Sequence, residues 1–109
     1  MSTTGRDVFT AVADPIRRQI LELLAGDDLP VNRLCERFEV SRPAVSRHLR
    51  VLRDAGLVTE FKIGRERLYA LDPVPLRTMR VWIAHFDRFW DVRLRRLKPR
   101  RATGTSETR

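Results

Sequence analysis

The chain has 109 residues, of which 42% are hydrophobic and 33% are charged, and this allows one domain with a modest core rather than two domains. Its 22 Lys and Arg residues outnumber 14 Asp and Glu residues, and the formal net charge of +8 indicates a polyanionic partner, either nucleic acid or an anionic membrane surface. The apolar runs are too short to span a bilayer, and the start MSTTGRDVF lacks the apolar stretch of a secretion signal. The single cysteine, Cys35, cannot form an internal disulfide, which suits a reducing compartment. We therefore expect a cytoplasmic protein.

The predicted fold begins with two helices, of which the first is short. The first covers Asp7 to Ala13 and ends before Pro15. Its apolar face consists of Val8, Phe9 and Val12. The second helix has Asp14 as its N-cap and Pro15 in its first position, and it ends at Gly26. Its inward face consists of Ile16, Ile20, Leu23 and Leu24.

Two further helices follow the loop GDDLP. The third covers Val31 to Phe38, and the fourth runs from about Arg42 to Ala55, between a capping Ser41 and a terminating Gly56. The third helix turns Val31, Leu34, Cys35 and Phe38 inward. The fourth helix turns Val45, Leu49 and Leu52 inward. Its opposite face is polar and mostly basic, and consists of Pro43, Ser46, Arg47, Arg50 and Asp54, with Arg42 close to Ser46.

After Gly56 the apolar period changes from helical to two, which is typical of strands. Residues 57–63 and 67–71 form the two strands of a predicted hairpin, and the three residues between them make its turn. Three cations lie at or near the tip: Lys62, Arg65 and Arg67. A hairpin with a basic tip is therefore expected.

The last predicted element is one long helix that starts near Pro75 and reaches Leu97. The apolar positions at helical spacing are Leu76, Met79, Trp82, Ile83, Phe86, Phe89, Trp90, Leu94 and Leu97. From Pro99 onward the tail PRRATGTSETR has no apolar residue except Ala102, and we expect it to be disordered. The basic residues near the C-terminal end of this helix are interpreted as a solvated helix end, and nonspecific DNA contact is the alternative.

A short helix, a tight turn and a second capped helix with a basic outer face form a helix-turn-helix, and the hairpin that follows makes it winged. This arrangement presents the fourth helix, the recognition helix, to the major groove of DNA, where arginine pairs with guanine. The candidate DNA contacts of the recognition helix are Ser41, Arg42, Pro43, Ser46, Arg47 and Arg50. The candidate contacts of the wing, on the flanking backbone or minor groove, are Lys62, Arg65 and Arg67. The alternatives are an arginine face that only meets water and a hairpin tip that is only hydrophilic.

The aromatic residues of the last helix offer more apolar surface than a three-helix core with a wing can cover, so we expect part of it to lie against a second subunit. The first helix would complete a two-fold interface. The candidate interface residues are Val8, Phe9, Val12, Trp82, Phe86, Phe89 and Trp90. An intramolecular lid or an effector pocket between the aromatic residues is the alternative.

Three motifs follow one another between Phe9 and Pro73: ADPIRRQIL, VSRPAVSRHLRVLRDAGLV and GRERLYALDP. With them the chain resembles the ArsR (arsenical-resistance repressor) family of bacterial winged-helix regulators. The ending VWIAHFDRFWDVRLRRL is similar to a branch of that family with an aromatic final helix. The resemblance implies a homodimeric transcriptional regulator, usually a repressor, that binds a palindromic operator in double-stranded DNA.

Many members of this family sense metals, but the known ligand positions are altered in this sequence. The Cys-x-Cys pair of the best-known site falls at Pro30 and Asn32, and neither replaces a thiolate. The final helix has only His85 as an imidazole, with Asp87 and Asp91 away from its i+4 position, whereas a metal site normally needs three or four ligands. We therefore expect no metal and no cofactor. An effector- or metal-responsive sensor with a site of another kind is the alternative.

Cys35 and His48 each have a structural and a functional interpretation. Cys35 lies on the apolar side of a short helix, so we interpret it as a small core residue rather than a reactive thiol. His48 flanks the core side of the recognition helix, and both a packing role and a phosphate contact are open.

The predicted fold is therefore mainly α with a small β-hairpin: a winged helix-turn-helix of about five helices and a two-stranded wing, dimerising through its first and last helices. We expect a flexible N-terminus at 1–6, the winged domain with its dimerisation helix at 7–98 and a disordered basic tail at 99–109. The predicted function is regulation of transcription by sequence-specific binding to DNA. No membrane partner is expected. A winged-helix protein-interaction module without sequence-specific DNA binding is the alternative. An enzyme is not expected, because glycine-rich phosphate loops and nucleophile–base arrangements are missing from the sequence.

Overall fold

The computed structural model of the chain describes residues 7–101, with side chains as far as residue 96. In chain order the elements are α1 (Val8–Ala11), α2 (Pro15–Gly26), β1 (Leu29–Pro30), α3 (Val31–Cys35), α4 (Arg42–Asp54), β2 (Val58–Ile63), β3 (Glu66–Leu71), α5 (Leu76–Ala84) and α6 (Asp87–Arg101). The chain divides into two compact units, one ending at Met79 and the other beginning at Arg80. This boundary falls inside the range 7–98 that was expected to form one domain.

Side-chain caps set the starts of the two longest helices of the first unit. The Asp14 carboxylate accepts a hydrogen bond from the backbone N–H of Arg17 at 3.1 Å, and α2 begins at the next residue, Pro15. The Ser41 hydroxyl accepts one from the backbone N–H of Ala44 at 3.2 Å, at the start of α4. Each cap satisfies a backbone donor that has no partner within the helix. Both predicted N-caps are confirmed.

Gly56 ends α4 in a Schellman motif. The N–H of Leu57 donates to the carbonyl of Leu52, and the N–H of Gly56 donates to the carbonyl of Arg53, both at 2.9 Å. Gly56 has a φ of 79°, in the left-handed region that favours glycine. The motif turns the chain directly from the recognition helix into the wing.

The core of the first unit lies between α1, α2, α3, α4 and the start of β2. Its fully or nearly buried apolar residues are Val8, Ala11, Ile20, Leu21, Leu24, Leu34, Val45, Leu49, Leu52, Leu57 and Val58. The predicted inward residues of the third and fourth helices are confirmed, since Val31, Cys35 and Phe38 pack against this core around the buried Leu34. The predicted extent of the third helix is wrong, because α3 ends at Cys35 and Phe38 lies in the turn that follows. In α2 the pattern is shifted: Leu21 is buried, whereas Ile16 and Leu23 are only half-buried.

The wing is part of an antiparallel sheet of three strands in the order β1-β3-β2, rather than the two-stranded hairpin that was expected. The third strand, β1, pairs Leu29 with Tyr69 and Pro30 with Leu68. Two residues are too few to show a strand period, and a proline is typical only of an edge strand, so β1 has no local signal in the sequence. The hairpin itself is confirmed. Its turn is one residue shorter than expected, because Glu66 pairs with Ile63 at the end of the ladder.

The prediction of one long final helix is wrong, because the helix is interrupted between Ala84 and Asp87. The N–H of His85 bonds to the carbonyl of Trp82 at 3.1 Å, and the N–H of Phe86 bonds to that of Ile83 at 3.0 Å. Both bonds reach back three residues instead of four, which tightens the last turn of α5. Residues 81–86 are rich in β-branched and aromatic types of weak helix propensity, and Asp87 suits a new helix start.

α6 continues to Arg101, four residues beyond Leu97, which the predicted final helix was expected to reach. The rest of the predicted tail, like the predicted flexible N-terminus at 1–6, lies outside the described residues. Within residues 7–101, no helix combines the length and the apolar character that a membrane-spanning segment needs.

Candidate nucleic-acid interface

α4 is fixed to the core by one face only. Val45 and Leu52 are 0% exposed and Leu49 is 3% exposed, and α4 contacts α1, α2, α3 and β2. Since inward residues recur at helical spacing, the residues between them are turned away from the core. The recognition helix is thus presented to solvent along its length.

The exposed side of α4 carries an outer ridge, which we define as Pro43, Ser46, Arg47 and Arg50. All four side chains are exposed. Within the described side chains, Arg47 and Arg50 make no hydrogen bond or ion pair. Their planar guanidinium groups are therefore available for a partner outside the chain, and bidentate pairing with guanine is the commonest specific use of arginine on DNA.

Ser41 and Arg42, at the start of α4, are exposed but engaged. The Ser41 hydroxyl caps the helix. The Nη1 of Arg42 donates to the Oδ1 of Asn32 on α3 at 2.7 Å. This bond connects the two helices of the helix-turn-helix and fixes where Arg42 lies, while most of the guanidinium donors are left over. In the sequence Asn32 stands out only as an altered position of the Cys-x-Cys pair, and its bond to Arg42 has no local signal.

His48 lies on the other flank of α4 and faces α2. Its Nδ1 is 3.3 Å from the Nη1 of Arg17 and 3.8 Å from the Oδ2 of Asp14. The Nε of Arg17 donates in turn to the carbonyl of Ala11 at 2.7 Å. The His48 side chain is 20% exposed. These contacts favour a role in holding the recognition helix against α2 over a contact with phosphate.

The three predicted wing cations are all exposed, but they differ in their contacts. Arg67 donates from Nη1 to the Oε2 of Glu60 at 2.6 Å, and Arg53, in the last turn of α4, donates from its Nη1 to the Oε1 of the same carboxylate. We call these three residues the Arg53–Glu60–Arg67 cluster. Lys62 and Arg65 make no such contact among the side chains that the structure describes. Only these two wing cations are free of an intramolecular partner in that set.

Glu60 remains ionised in this cluster. The hydrogen bond from Arg67 and the positive charges of Arg67 and Arg53 hold the pKa of the Glu60 carboxyl below its ordinary value, although burial acts in the opposite direction. Tyr69 lies directly across the ladder from Glu60. Burial, and secondarily the Glu60 charge, raises the pKa of the Tyr69 phenol, so this hydroxyl stays protonated beside the carboxylate.

Arg53 and Glu60 were not among the predicted site residues. Arg53 has a signal in the sequence, because it follows Arg50 by three residues and Ser46 by seven, and so continues one side of the basic helix. Glu60 has none. Its pairing with Arg67 is a diagonal contact between strands, and it exists only in the register that places Glu60 opposite Tyr69 and Lys62 opposite Arg67.

The second unit carries the predicted aromatic surface. Trp82 and Phe86 are in edge-to-face contact with ring centroids 5.2 Å apart, and the centroids of Phe86 and Phe89 are 6.4 Å apart. The exposed fractions are 52% for Trp82, 40% for Phe86, 58% for Phe89 and 57% for Trp90. Such a concentration of exposed aromatic surface is typical of an interaction site.

The three predicted interface residues of the first helix differ in their burial. Val8 is only 7% exposed and belongs to the core of the first unit, so its side chain has almost no surface to offer a second subunit. Phe9 and Val12 pack against the same core but are half-buried. The amphipathic pattern placed all three on one face, whereas the short α1 turns Val8 further inward than the other two.

Among the described residues, no group of three or more His, Cys, Asp or Glu side chains is arranged to hold a metal ion. Pro30 lies in β1, and Asn32 bonds to Arg42. Cys35 is a half-buried free thiol that packs against the core, in agreement with its interpretation as a core residue.

Comparison with known proteins agrees with this geometry. Residues 14–60 match the family described as "Bacterial regulatory protein, arsR family". The HTH-type transcriptional regulator Rv2034 of Mycobacterium tuberculosis is 48% identical over 82 residues, 75% of this chain and 74% of the relative. The transcriptional repressor SdpR of Bacillus subtilis is 35% identical over 80 residues, 73% of this chain and 89% of the relative.

A solved structure titled "Possible transcriptional regulator for arsenical resistance" superposes with a TM-score of 0.66 at 42% identity, covering 96% of this chain and 100% of the other. The structure of an ArsR family transcriptional regulator gives a TM-score of 0.68 at 31% identity, over 76% of this chain and 91% of the other. The chain is thus similar in sequence and in fold to transcriptional regulators, none of which is named as an enzyme.

Proposed function

The chain belongs to the ArsR family of bacterial regulatory proteins, and we propose that it acts as a homodimeric repressor that binds a palindromic operator. It is a DNA-binding transcriptional regulator with a winged helix-turn-helix. The dimer, the operator symmetry, the individual DNA contacts and a place in the bacterial cytoplasm are the parts that we propose.

One observation carries the proposed DNA contact: the outer ridge of α4. Arg47 and Arg50 are exposed on a helix whose other face is buried, and neither guanidinium is used within the described side chains. A solvated helix would tolerate glutamate or lysine there equally well, but two free arginines next to Ser46 offer the fork that reads a guanine edge. We assign Arg47 and Arg50 to base edges. Arg42, whose position is set by Asn32, is assigned to the phosphate backbone at the start of the helix.

The free cations of the wing support a contact beyond the major groove. Lys62 and Arg65 are exposed at the end of the hairpin, and Gly64, with a φ of 63°, shapes the turn between them. Cations at such a tip gain affinity by releasing condensed counterions, and this gain does not depend on base sequence. We assign Lys62 and Arg65 to the flanking backbone or minor groove.

The aromatic surface of the second unit supports the dimer. Trp82, Phe86, Phe89 and Trp90 are each at least 40% exposed, which is costly in water unless another surface covers them. A two-fold axis buries the same residues of both copies and presents two recognition helices to two half-sites. Phe9 and Val12 are the candidates for the contribution of α1. Symmetry then requires half-sites about 34 Å apart, or a multiple of this distance.

Selection of bound DNA from a random pool tests this function. The proposal expects enrichment of a palindrome whose half-sites are about 10 base pairs, or a multiple, apart from centre to centre. A gel-filtered dimer should be the species that binds. Recovery of no enriched motif at physiological salt would contradict the proposal, and recovery of an asymmetric single half-site would remove its dimeric part.

A further inference from the structure

The Arg53–Glu60–Arg67 cluster joins the recognition helix to the wing through one carboxylate. Glu60 lies on β2, Arg53 on α4 and Arg67 on β3, and each arginine bonds to a different oxygen of Glu60. Because one small group receives both guanidiniums, the end of the recognition helix and the wing are held side by side. The two cations are also brought close together, which like charges do not do without a shared anion.

The exposures within the cluster are unequal. The Glu60 side chain is 15% exposed, while Arg53 is 46% and Arg67 is 60% exposed. The carboxylate therefore lies beneath two outward-facing guanidiniums. Each guanidinium has five N–H donors, and the hydrogen bond to Glu60 uses one of them, so most donors of both groups are left for a second anion. The cluster keeps a net charge of +1, from two cations and one anion.

A shallow cleft next to the cluster has room for such an anion. It has a volume of about 240 Å³ and is lined by Glu60, Phe61, Lys62 and Arg67. Lys62 pairs with Arg67 across the ladder, so a third cation stands at the same place. Planar guanidiniums bind phosphate oxygens bidentately, and an ammonium adds a point charge.

We propose that Arg53 and Arg67 bind a phosphate of the DNA backbone where it passes between the recognition helix and the wing, and that Glu60 is the positioning residue that holds the pair. The proposal rests on the proposed DNA-binding function and adds to it a residue pair and a positioning group. It also explains a carboxylate inside a DNA-binding surface. Glu60 repels phosphate by its charge, but it fixes two cations whose side-chain entropy would otherwise be lost on binding.

Substitution of Glu60 separates charge from position, because the two effects have opposite signs. E60Q raises the net charge of the subunit by one, so charge alone predicts tighter binding to any DNA and a steeper salt dependence. The proposal predicts the reverse for the operator: weaker binding and a shallower salt dependence, since Arg53 and Arg67 are no longer held at the phosphate. E66Q is the matched control. It makes the same charge change on the same hairpin, and Glu66 is exposed and has no hydrogen bond or ion pair among the described side chains.

The experiment measures dissociation constants by fluorescence anisotropy over a range of salt concentrations, with the full chain. The DNAs are the selected palindrome and a scrambled duplex of the same composition. We expect R53A to bind both DNAs about a hundredfold more weakly, because each of the two subunits loses one charged hydrogen bond that accounts for about tenfold. Its slope of log K against log salt should be smaller by about 0.9 for each phosphate that the variant no longer neutralises. E60Q should lose operator affinity and slope like R53A, while E66Q keeps or exceeds the wild-type values.

If the wild type binds the operator normally and both E60Q and R53A bind it with the same affinity and salt slope as the wild type, the proposed phosphate contact of Arg53 and Arg67 is wrong. The proposed function is left intact by that result. If the wild type itself does not prefer the palindrome to the scrambled duplex, the proposed function fails first. Circular dichroism checks that each variant is folded. Should E60Q not fold, R53A and E66Q decide alone, because Arg53 is half exposed and its loss leaves the core untouched.

Discussion

Replacement of Arg47 by alanine tests whether the outer ridge of α4 reads bases. Arg47 is exposed and has no intramolecular partner among the described side chains, so the free energy of unfolding should change by no more than about 0.5 kcal/mol. One bidentate arginine–guanine pair discriminates against a wrong base by about 1–3 kcal/mol. A symmetric dimer loses two such pairs, which amounts to about 2–6 kcal/mol, or a loss of operator affinity of at least about 30-fold.

R65A provides the comparison, because it removes the same charge from the wing. The proposal expects R65A to weaken binding to the palindrome and to a scrambled duplex by the same factor, with a smaller salt slope. R47A should weaken binding to the palindrome far more than to the scrambled duplex. It should also relax selection at one base pair in each half-site when the random pool is searched again. An equal loss on both DNAs for R47A would refute the assignment of Arg47 to a base edge.

Burial in the core, the charge of Glu60 and the aromatic surface can each be tested by substitution. V45A removes two methyl groups from a fully buried site and should lower the free energy of unfolding by about 2 kcal/mol in urea titrations. V74A is the same change at a residue that is 61% exposed, and it should alter the free energy of unfolding little. Equal effects of the two substitutions would contradict the burial of the inner face of α4. Because the pKa of Glu60 is lowered, its contribution to stability is complete above the ordinary pKa of 4.5 and is lost as the pH falls through the lowered pKa. The stability advantage of the wild type over E60Q should therefore shrink only in acid. An advantage that changes between about pH 6 and 8 would contradict this linkage. In analytical ultracentrifugation, F86A combined with F89A should shift the protein from a dimer of twice 12.8 kDa to the monomer mass of 12.8 kDa. V74A is the control and should remain a dimer. A dimer that survives the double substitution would exclude this aromatic surface as the interface.

Local signals in the sequence were sufficient for the start of α2 and for both ends and the inner face of α4. Asp14, Ser41 and Gly56 act where the cap rules place them, because each of these cap bonds joins residues three to five positions apart. The inner face of α4 also follows from spacing alone, since Val45, Leu49 and Leu52 recur at the helical period and are all buried. The outer ridge is then determined as the other side of the same helix.

Features that depend on distant residues were not predictable in the same way. β1 consists of two residues that become a strand only by pairing with Tyr69 and Leu68, about forty positions later. The break after Ala84 contains neither glycine nor proline, so the apolar spacing continues through it.

The engaged arginines show the same limit at the site itself. Arg42 and Arg67 were correctly expected to be exposed, but their bonds to Asn32 and Glu60 depend on how α3 meets α4 and on the register of the hairpin. A shift of one residue in that register would move Glu60 to the other face of the sheet and leave Arg67 without this partner. Composition and motif order therefore predict a candidate DNA-binding surface, while the division of its cations into free and positioned ones requires the three-dimensional structure.

Sequence-specific DNA binding by this chain can be measured as the ratio of two dissociation constants. The wild-type protein is titrated at physiological salt with the palindrome selected from a random pool and with a scrambled duplex of equal length and composition. We expect the palindrome to bind at least about a thousandfold more tightly than the scrambled duplex. Equal affinity for the two duplexes would contradict it.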